Sequence, residues 1–134
     1  MKILIVEDDN FKFSMIYCLL RDKNIDQEWF LSVNSALNYI SEHQNEVSGI
    51  ILDLGLTTYS DSNDYDDVRG LDLVNELTRK EINIPILINS TTEINLDEIM
   101  SNHKNVKGQS IPRKGENWSQ TVEWFLTTLQ EEKQ

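Results

Sequence analysis

Cysteine, proline and basic residues are all scarce in this chain. Its single cysteine, Cys18, excludes an intrachain disulfide and a cysteine-based metal site. No apolar run approaches the roughly 18 residues that a membrane-spanning helix needs, so no span is expected. Only two prolines and five glycines occur, and no stretch has the pattern of an internal repeat or a linker. The 134 residues therefore fit one domain.

The charge balance is strongly acidic. Twelve Lys and Arg face 23 Asp and Glu, which gives a formal net charge of −11. That balance argues against sequence-independent binding of nucleic acid and against binding to anionic membrane surfaces, since both need a surplus of cations. The chain opens on an apolar strand pattern and not on a basic, apolar signal segment, so we expect a cytoplasmic protein.

Cys18 lies in a stretch whose apolar residues recur at helical spacing. Phe11, Met15, Cys18 and Leu19 share the predicted face of that helix. A thiol on an apolar helix face is more often a small buried hydrophobe than a reactive group. We therefore expect Cys18 to be buried and structural.

Strand and helix patterns alternate five times along the chain. Short, continuous apolar runs indicate strands that are buried on both faces, whereas spacings of three and four indicate helices. Strands are predicted over residues 2–6, 27–31, 49–54, 84–89 and 106–111, and helices over 11–21, 33–41, 71–79, 96–100 and 119–130. This alternation predicts an α/β fold with a doubly wound parallel sheet and helices on both of its faces.

Acidic residues follow two of the most apolar strands. Glu7 and Asp8 come directly after the first strand, and Asp53 lies at the end of the strand that begins at Gly49. In an open parallel sheet the carboxyl ends of the strands line the ligand crevice, so we expect the three carboxylates to converge. Clustered carboxylates require a cation, and ligation by oxygen alone selects a hard ion such as Mg²⁺.

A hydroxyl completes a possible phosphoryl-transfer site. Ser90 ends the strand predicted over 84–89, at the same edge of the sheet. A carboxylate such as Asp53 can act as a nucleophile and form an acyl phosphate. The Ser90 hydroxyl would then hydrogen-bond a phosphoryl oxygen, and a cationic side chain near the end of the fifth strand would complete the charge balance.

These three blocks together resemble the receiver domain of two-component response regulators. Residues 3–9, 51–54 and 84–90 are similar to the family's acidic, phosphoacceptor and hydroxyl strands, and their mutual spacing is specific. The resemblance covers nearly the whole chain. It implies one chemotaxis-regulator-like receiver domain over residues 1–134, with the flavodoxin-like strand order 2-1-3-4-5.

The resemblance also implies a role for each matching residue. Asp53 would be phosphorylated by a sensor histidine kinase or a histidine phosphotransfer protein. Asp8, Asp53 and the Gly55 carbonyl would ligate Mg²⁺, with Glu7 acting through bound water, and Ser90 would sense the phosphoryl group. Output would be contact with a downstream protein or homodimerisation through residues 96–130, without direct binding of nucleic acid or membrane. The expected chemistry is self-phosphorylation and self-dephosphorylation only, not turnover of a substrate.

The chain departs from the family pattern near the site. Thr57 stands where proline is frequent, Thr91 stands where a small residue is usual, and the aromatic residue that often partners the hydroxyl is missing. The family's lysine precedes proline at the end of the fifth strand, where this chain has Ile111. An alternative alignment leaves the following Arg113 or Lys114 as the cation. The flexible stem of Lys114 favours it over the rigid fork of Arg113.

Two other functions stay open. The departures favour a pseudo-receiver that binds partners constitutively and is never phosphorylated, although intact Glu7, Asp8, Asp53 and Ser90 oppose it. A metal-dependent phosphatase is weaker, because such enzymes usually carry a second acid just after the nucleophile. The acidic stretch 57–67 lacks the ligand spacing of a calcium loop and is expected to be a mobile loop, solvated or in contact with a partner.

Overall fold

Five parallel strands form one sheet in the computed structural model, which describes residues 1–56, 70–112 and 117–132. The strands are β1 (Lys2–Val6), β2 (Asp26–Phe30), β3 (Gly49–Leu52), β4 (Ile86–Asn89) and β5 (Val106–Ser110). The helices are α1 (Asn10–Asp22), α2 (Val33–His43), α3 (Gly70–Arg79), α4 (Leu96–Asn102) and α5 (Asn117–Glu132), with a 3₁₀ turn at Gln44–Glu46.

The strand order is β2-β1-β3-β4-β5, and every neighbouring pair is parallel. This confirms the predicted doubly wound fold and the order that the resemblance implied. β1 and β3 are adjacent near the centre of the sheet, with Val6 opposite Leu52. The residues that follow these two strands therefore leave the sheet side by side.

Each face of the sheet is covered by its own apolar layer. Leu4 and Val6 of β1 pack in the layer that contains the buried side chains of α2 and α3, whereas Ile3 and Ile5 pack with those of α1 and α5. Both sides of the strand are removed from water, which explains why its sequence is continuously apolar and not alternating.

The predicted elements are all present, with shifts at their ends. β4 begins at Ile86 and not at residue 84, because Pro85 has no N–H to donate to the ladder. α4 extends to Asn102, beyond the predicted 96–100. β5 ends at Ser110, one residue before the predicted end. It is an edge strand with one neighbour and its central residues are partly exposed, which explains why its sequence is polar and predicts a strand only weakly.

The expectation that Cys18 is buried is wrong. Cys18 is exposed, and the fully buried residues of α1 are Ile16 and Leu20, while Phe13 and Leu19 are partly buried against the same layer. Phe11, placed on the apolar face by its spacing, is 65% exposed. Apolar residues of α1 lie around much of its circumference, so their spacing alone is compatible with more than one buried face. Packing against α5 and the sheet buries the face that carries Ile16 and Leu20.

Some predictions fall outside the described residues. They concern Thr57, the acidic stretch 57–67, and the candidate cations Arg113 and Lys114. Within the described ranges, no helix has both the length and the apolar content needed to cross a membrane.

Gly70 sets the distance between α3 and the end of β3. Its N–H donates to the Leu54 carbonyl at 3.0 Å. A Cβ at this position would lie 2.4 Å from the carbonyl oxygen of Asp53 and 2.7 Å from Cα of Leu54. Both are backbone atoms, so no side-chain rotation relieves the clash. The first residue of α3 therefore has to be glycine for the helix to approach Asp53 this closely.

We expect Gly70→Ala to lower the free energy of unfolding by about 1–3 kcal/mol, the usual cost of a steric insertion that shifts backbone. Urea unfolding followed by circular dichroism would measure it. Gly108→Ala is the matched control, because its Cβ would meet Trp124 at an ordinary contact distance of 3.5 Å. Equal losses in the two variants would contradict this account of Gly70.

Candidate functional site

Three carboxylates meet where β1 and β3 end. The Asp53 N–H donates to the Val6 carbonyl at 2.9 Å, which continues the ladder one step beyond β3. One oxygen from each of Glu7, Asp8 and Asp53 lies within 4.8 Å of the others. The structure thus brings together the three acids that the sequence placed at these strand ends.

Glu7 is enclosed by the chain that follows it. Its side chain is buried, and Oε2 accepts the N–H groups of Asp8 and Asp9 at 3.1 and 3.2 Å. Its carbonyl accepts the indole N–H of Trp29 at 2.6 Å. Within the described parts of the chain, Oε1 of Glu7 is buried and accepts no hydrogen bond.

Asp53 is also buried, with 3% of the residue exposed. Its Oδ1 accepts the Gly55 N–H at 3.3 Å, so the turn after β3 closes onto the carboxylate. Its Oδ2 lies 3.8 Å from Nζ of Lys12, a residue in the first turn of α1. The sequence analysis did not identify Lys12 as a site residue. The signal that could have identified it is its position, because a cation at the start of a helix is unfavourable where the helix dipole favours anions.

The crowding changes the protonation of Glu7. Burial, then repulsion from the Asp53 carboxylate and a hydrogen bond to it, raises the pKa of Glu7 from its ordinary 4.5 to about 9. The nearby Lys12 ammonium acts in the opposite direction and lowers this pKa. In the absence of a bound cation, Glu7 therefore holds a proton at neutral pH.

The donor set fits Mg²⁺. All three side chains offer carboxylate oxygens, the ligand type that hard divalent cations prefer. The buried Oε1 of Glu7 has a lone pair available for a water ligand or a cation. Gly55, whose carbonyl the resemblance implies as a further ligand, donates its N–H to Asp53.

Ser90 follows β4 directly, at the same edge of the sheet. It is buried, its N–H donates to the Ser110 carbonyl at 3.1 Å, and its Oγ accepts the Thr92 N–H at 3.1 Å. Its hydroxyl proton is free to reorient, because in this bond the oxygen serves as the acceptor. The predicted sensing role needs that freedom.

Polar side chains connect the end of β4 to β5. Gln109 donates from Nε2 to the carbonyls of Ser90 and Thr92 at 3.0 and 3.4 Å. Ser110 donates its buried hydroxyl to Oδ1 of Asn89 at 2.7 Å. These amide and hydroxyl contacts couple Ser90 and its neighbours to the end of β5.

Many of the solved structures to which this chain is similar are receiver domains of response regulators. The receiver domain of the Francisella response regulator 1452 has a TM-score of 0.76 and 18% identity, over 99% of this chain and 98% of that chain. A CheY-like receiver domain from Methanospirillum hungatei JF-1 has a TM-score of 0.72 and 16% identity, over 98% and 95%. The receiver domain of a diguanylate cyclase from Desulfovibrio desulfuricans G20 has a TM-score of 0.70 and 16% identity, over 98% and 94%.

These similarities show that the chain has the receiver-domain fold over nearly its whole length. No protein-family model matches the sequence, and no curated protein matches it.

Protonation of Glu7 predicts a pH dependence of stability. Between pH 4.5 and about 9 the folded chain holds a proton that the unfolded chain has lost, so the free energy of unfolding falls as pH rises through this window. Glu7→Gln has a neutral side chain at every pH and should therefore reduce the dependence of the free energy of unfolding on pH in this window. Chemical denaturation at a series of pH values with EDTA present would measure both slopes.

Glu28→Gln serves as the control, because Glu28 is an exposed carboxylate on the edge strand β2 and pairs with Lys2 at 4.0 Å. It should keep the slope of the unmodified chain. A slope in Glu7→Gln as steep as in the unmodified chain would show that another group causes the pH dependence.

Proposed function

We propose that this chain is a response regulator receiver that accepts a phosphoryl group on Asp53 from a phosphohistidine. The donor would be a sensor histidine kinase or a histidine phosphotransfer protein in the cytoplasm. The observation that carries the proposal is the buried Asp53 carboxylate at the end of β3, gathered with Glu7 and Asp8 within 4.8 Å. The receiver fold supports it independently.

The transfer is a displacement at phosphorus. An oxygen of the Asp53 carboxylate attacks, the P–N bond to the donor imidazole breaks, and the electron pair of that bond stays on the imidazole nitrogen. The product is an acyl phosphate on Asp53. The Gly55 N–H on Oδ1 orients the carboxylate, which leaves Oδ2 as the oxygen for attack.

Glu7, Asp8 and Asp53, with the Gly55 carbonyl, would hold Mg²⁺. When bound, the ion neutralises the cluster and stabilises the charge on the phosphoryl oxygens. Glu7 would then release its proton, since a nearby divalent cation favours the ionised carboxylate. The buried position of the cluster keeps these interactions strong by excluding water.

Phosphorylation would be transmitted through the end of β4. Ser90 would turn its hydroxyl toward a phosphoryl oxygen and release or strain its bond with Thr92. Gln109 would pass that shift to β5, since its amide bonds to both residues. The responding surface is formed by residues 96–130, where a downstream protein or a second copy of the chain would bind.

A constitutive pseudo-receiver is the second candidate. Its specific support is Ile111, an apolar residue at the position before Pro112 where the family has lysine. In that case the chain would bind its partner equally well with and without a phosphodonor.

Phosphorylation of Asp53 is testable by intact mass after incubation with acetyl phosphate and Mg²⁺. We expect the unmodified chain to gain one phosphoryl group and Asp53→Asn to gain none, because an amide is a poor nucleophile. EDTA should also abolish the gain. Asp22→Asn is the matched control, since Asp22 is an exposed acid at the end of α1, and it should be labelled normally.

Labelling that persists in Asp53→Asn would assign the phosphoryl group to another residue. Complete absence of labelling in the unmodified chain, together with absence of Mg²⁺ binding, would favour the pseudo-receiver.

The cation after β5 is tested by two substitutions. Lys114→Ala should impair phosphorylation-dependent binding or dimerisation more than Arg113→Ala, because an ammonium on a flexible stem reaches a phosphoryl oxygen more readily than a rigid guanidinium. Sedimentation velocity with and without the phosphodonor would measure the change in assembly. The reverse order of effects would assign the role to Arg113.

A further inference from the structure

Lys12 is the cation that the described part of the chain places against Asp53. Its Nζ lies 3.8 Å from Oδ2, and only 14% of its side chain is exposed. A lysine side chain with so little exposure loses hydration, and an anionic partner offsets that loss. The contact therefore differs from the exposed lysine pairs elsewhere in the described chain, such as Lys23 with Glu123.

The position of Lys12 is unfavourable for the helix that carries it. α1 begins at Asn10, with Asp9 as its N-cap accepting the Phe11 N–H at 2.8 Å. A cation in the first turn is repelled by the positive end of the helix dipole. Residues that destabilise their own helix in this way are typical of functional sites, where a contact with a distant part of the chain offsets the unfavourable interaction with the dipole.

The charge of Lys12 acts on two members of the acidic cluster, Asp53 and Glu7. Besides pairing with Asp53, it lowers the pKa of Glu7. The ammonium therefore offsets part of the carboxylate charge from the side of α1. The sequence alone predicts that the charge opposing these carboxylates comes from a cationic residue after β5.

We propose that Lys12 is a catalytic cation of the phosphoacceptor site: its ammonium contacts Oδ2 of Asp53 and moves onto a phosphoryl oxygen when that oxygen atom of Asp53 attacks. This inference rests on the proposed function. Nζ of Lys12 lies 3.8 Å from the oxygen proposed to attack, and its flexible stem would let the ammonium follow the negative charge from the carboxylate to the phosphoryl group. It supplies from the first helix the charge that Ile111 does not supply from the fifth strand.

The same contact makes Lys12 a competitor of Mg²⁺. Both cations approach the carboxylates of Asp53 and Glu7, and they repel each other. Removal of the ammonium should therefore slow phosphoryl transfer while Mg²⁺ binds as tightly as before or several-fold more tightly. A residue that merely supports the structure would weaken both properties together.

The test compares Lys12→Met, Lys12→Arg and Lys23→Met in the full chain. Methionine keeps an unbranched stem of similar length and removes the charge, and Lys23→Met removes the same charge at the far end of α1. The rate of labelling by acetyl phosphate is followed by intact mass, and Mg²⁺ affinity is measured by titration calorimetry without phosphodonor. Asp53→Asn defines the background.

We expect Lys12→Met to slow labelling by on the order of a hundredfold, as for the loss of one charge-stabilising group in a transition state. Lys12→Arg should recover part of the rate, and Lys23→Met should match the unmodified chain. Unchanged labelling in Lys12→Met would overturn the role while the proposed function stands. A parallel loss of labelling and Mg²⁺ affinity would overturn it in favour of a structural role.

Absence of labelling in the unmodified chain would overturn the proposed function and this role with it. The Lys12 variants are not needed to reach that result, so the two failures are distinguishable.

Discussion

Repulsion among carboxylates at one edge of the sheet is the constraint on which the site depends. Two unit charges 4 Å apart repel by about 4 kcal/mol at an effective dielectric constant near 20. With oxygens of Glu7, Asp8 and Asp53 within 4.8 Å of one another, the chain has to supply compensation. It does so with a proton on Glu7, N–H donors from Asp9 and Gly55, and the ammonium of Lys12.

The sheet holds this unfavourable arrangement in place. β1 and β3 are apolar on both faces, and their burial against two helical layers provides the stability that the acidic cluster lowers. Gly70 permits α3 to approach the backbone of Asp53, so this residue is held from both the strand and the helix. The negative charge that remains on the cluster favours the binding of a cation, which links the folded core to the proposed chemistry.

Much of the fold and the acidic part of the site could be predicted from the sequence. Continuous apolar runs identify central strands, and acids at their ends converge because parallel strands all present their carboxyl ends at one edge. The predicted burial of Cys18 was wrong, because α1 has apolar residues around much of its circumference and packing buries Ile16 and Leu20 instead. The edge strand β5 was hard to delimit, since a strand with one neighbour does not require a fully apolar pattern.

The sequence by itself determined the order of elements, the doubly wound class and the three acids, because these follow from local periodicity and from the geometry common to all parallel sheets. Only the tertiary structure decided that Lys12 lies beside Asp53, how far Glu7 is removed from water, and that Gln109 bonds to the carbonyls of Ser90 and Thr92. Those features depend on side-chain direction and on contacts between segments distant in the chain. Lys12 and Asp53 belong to different elements, and no local pattern relates them until α1 packs on the sheet.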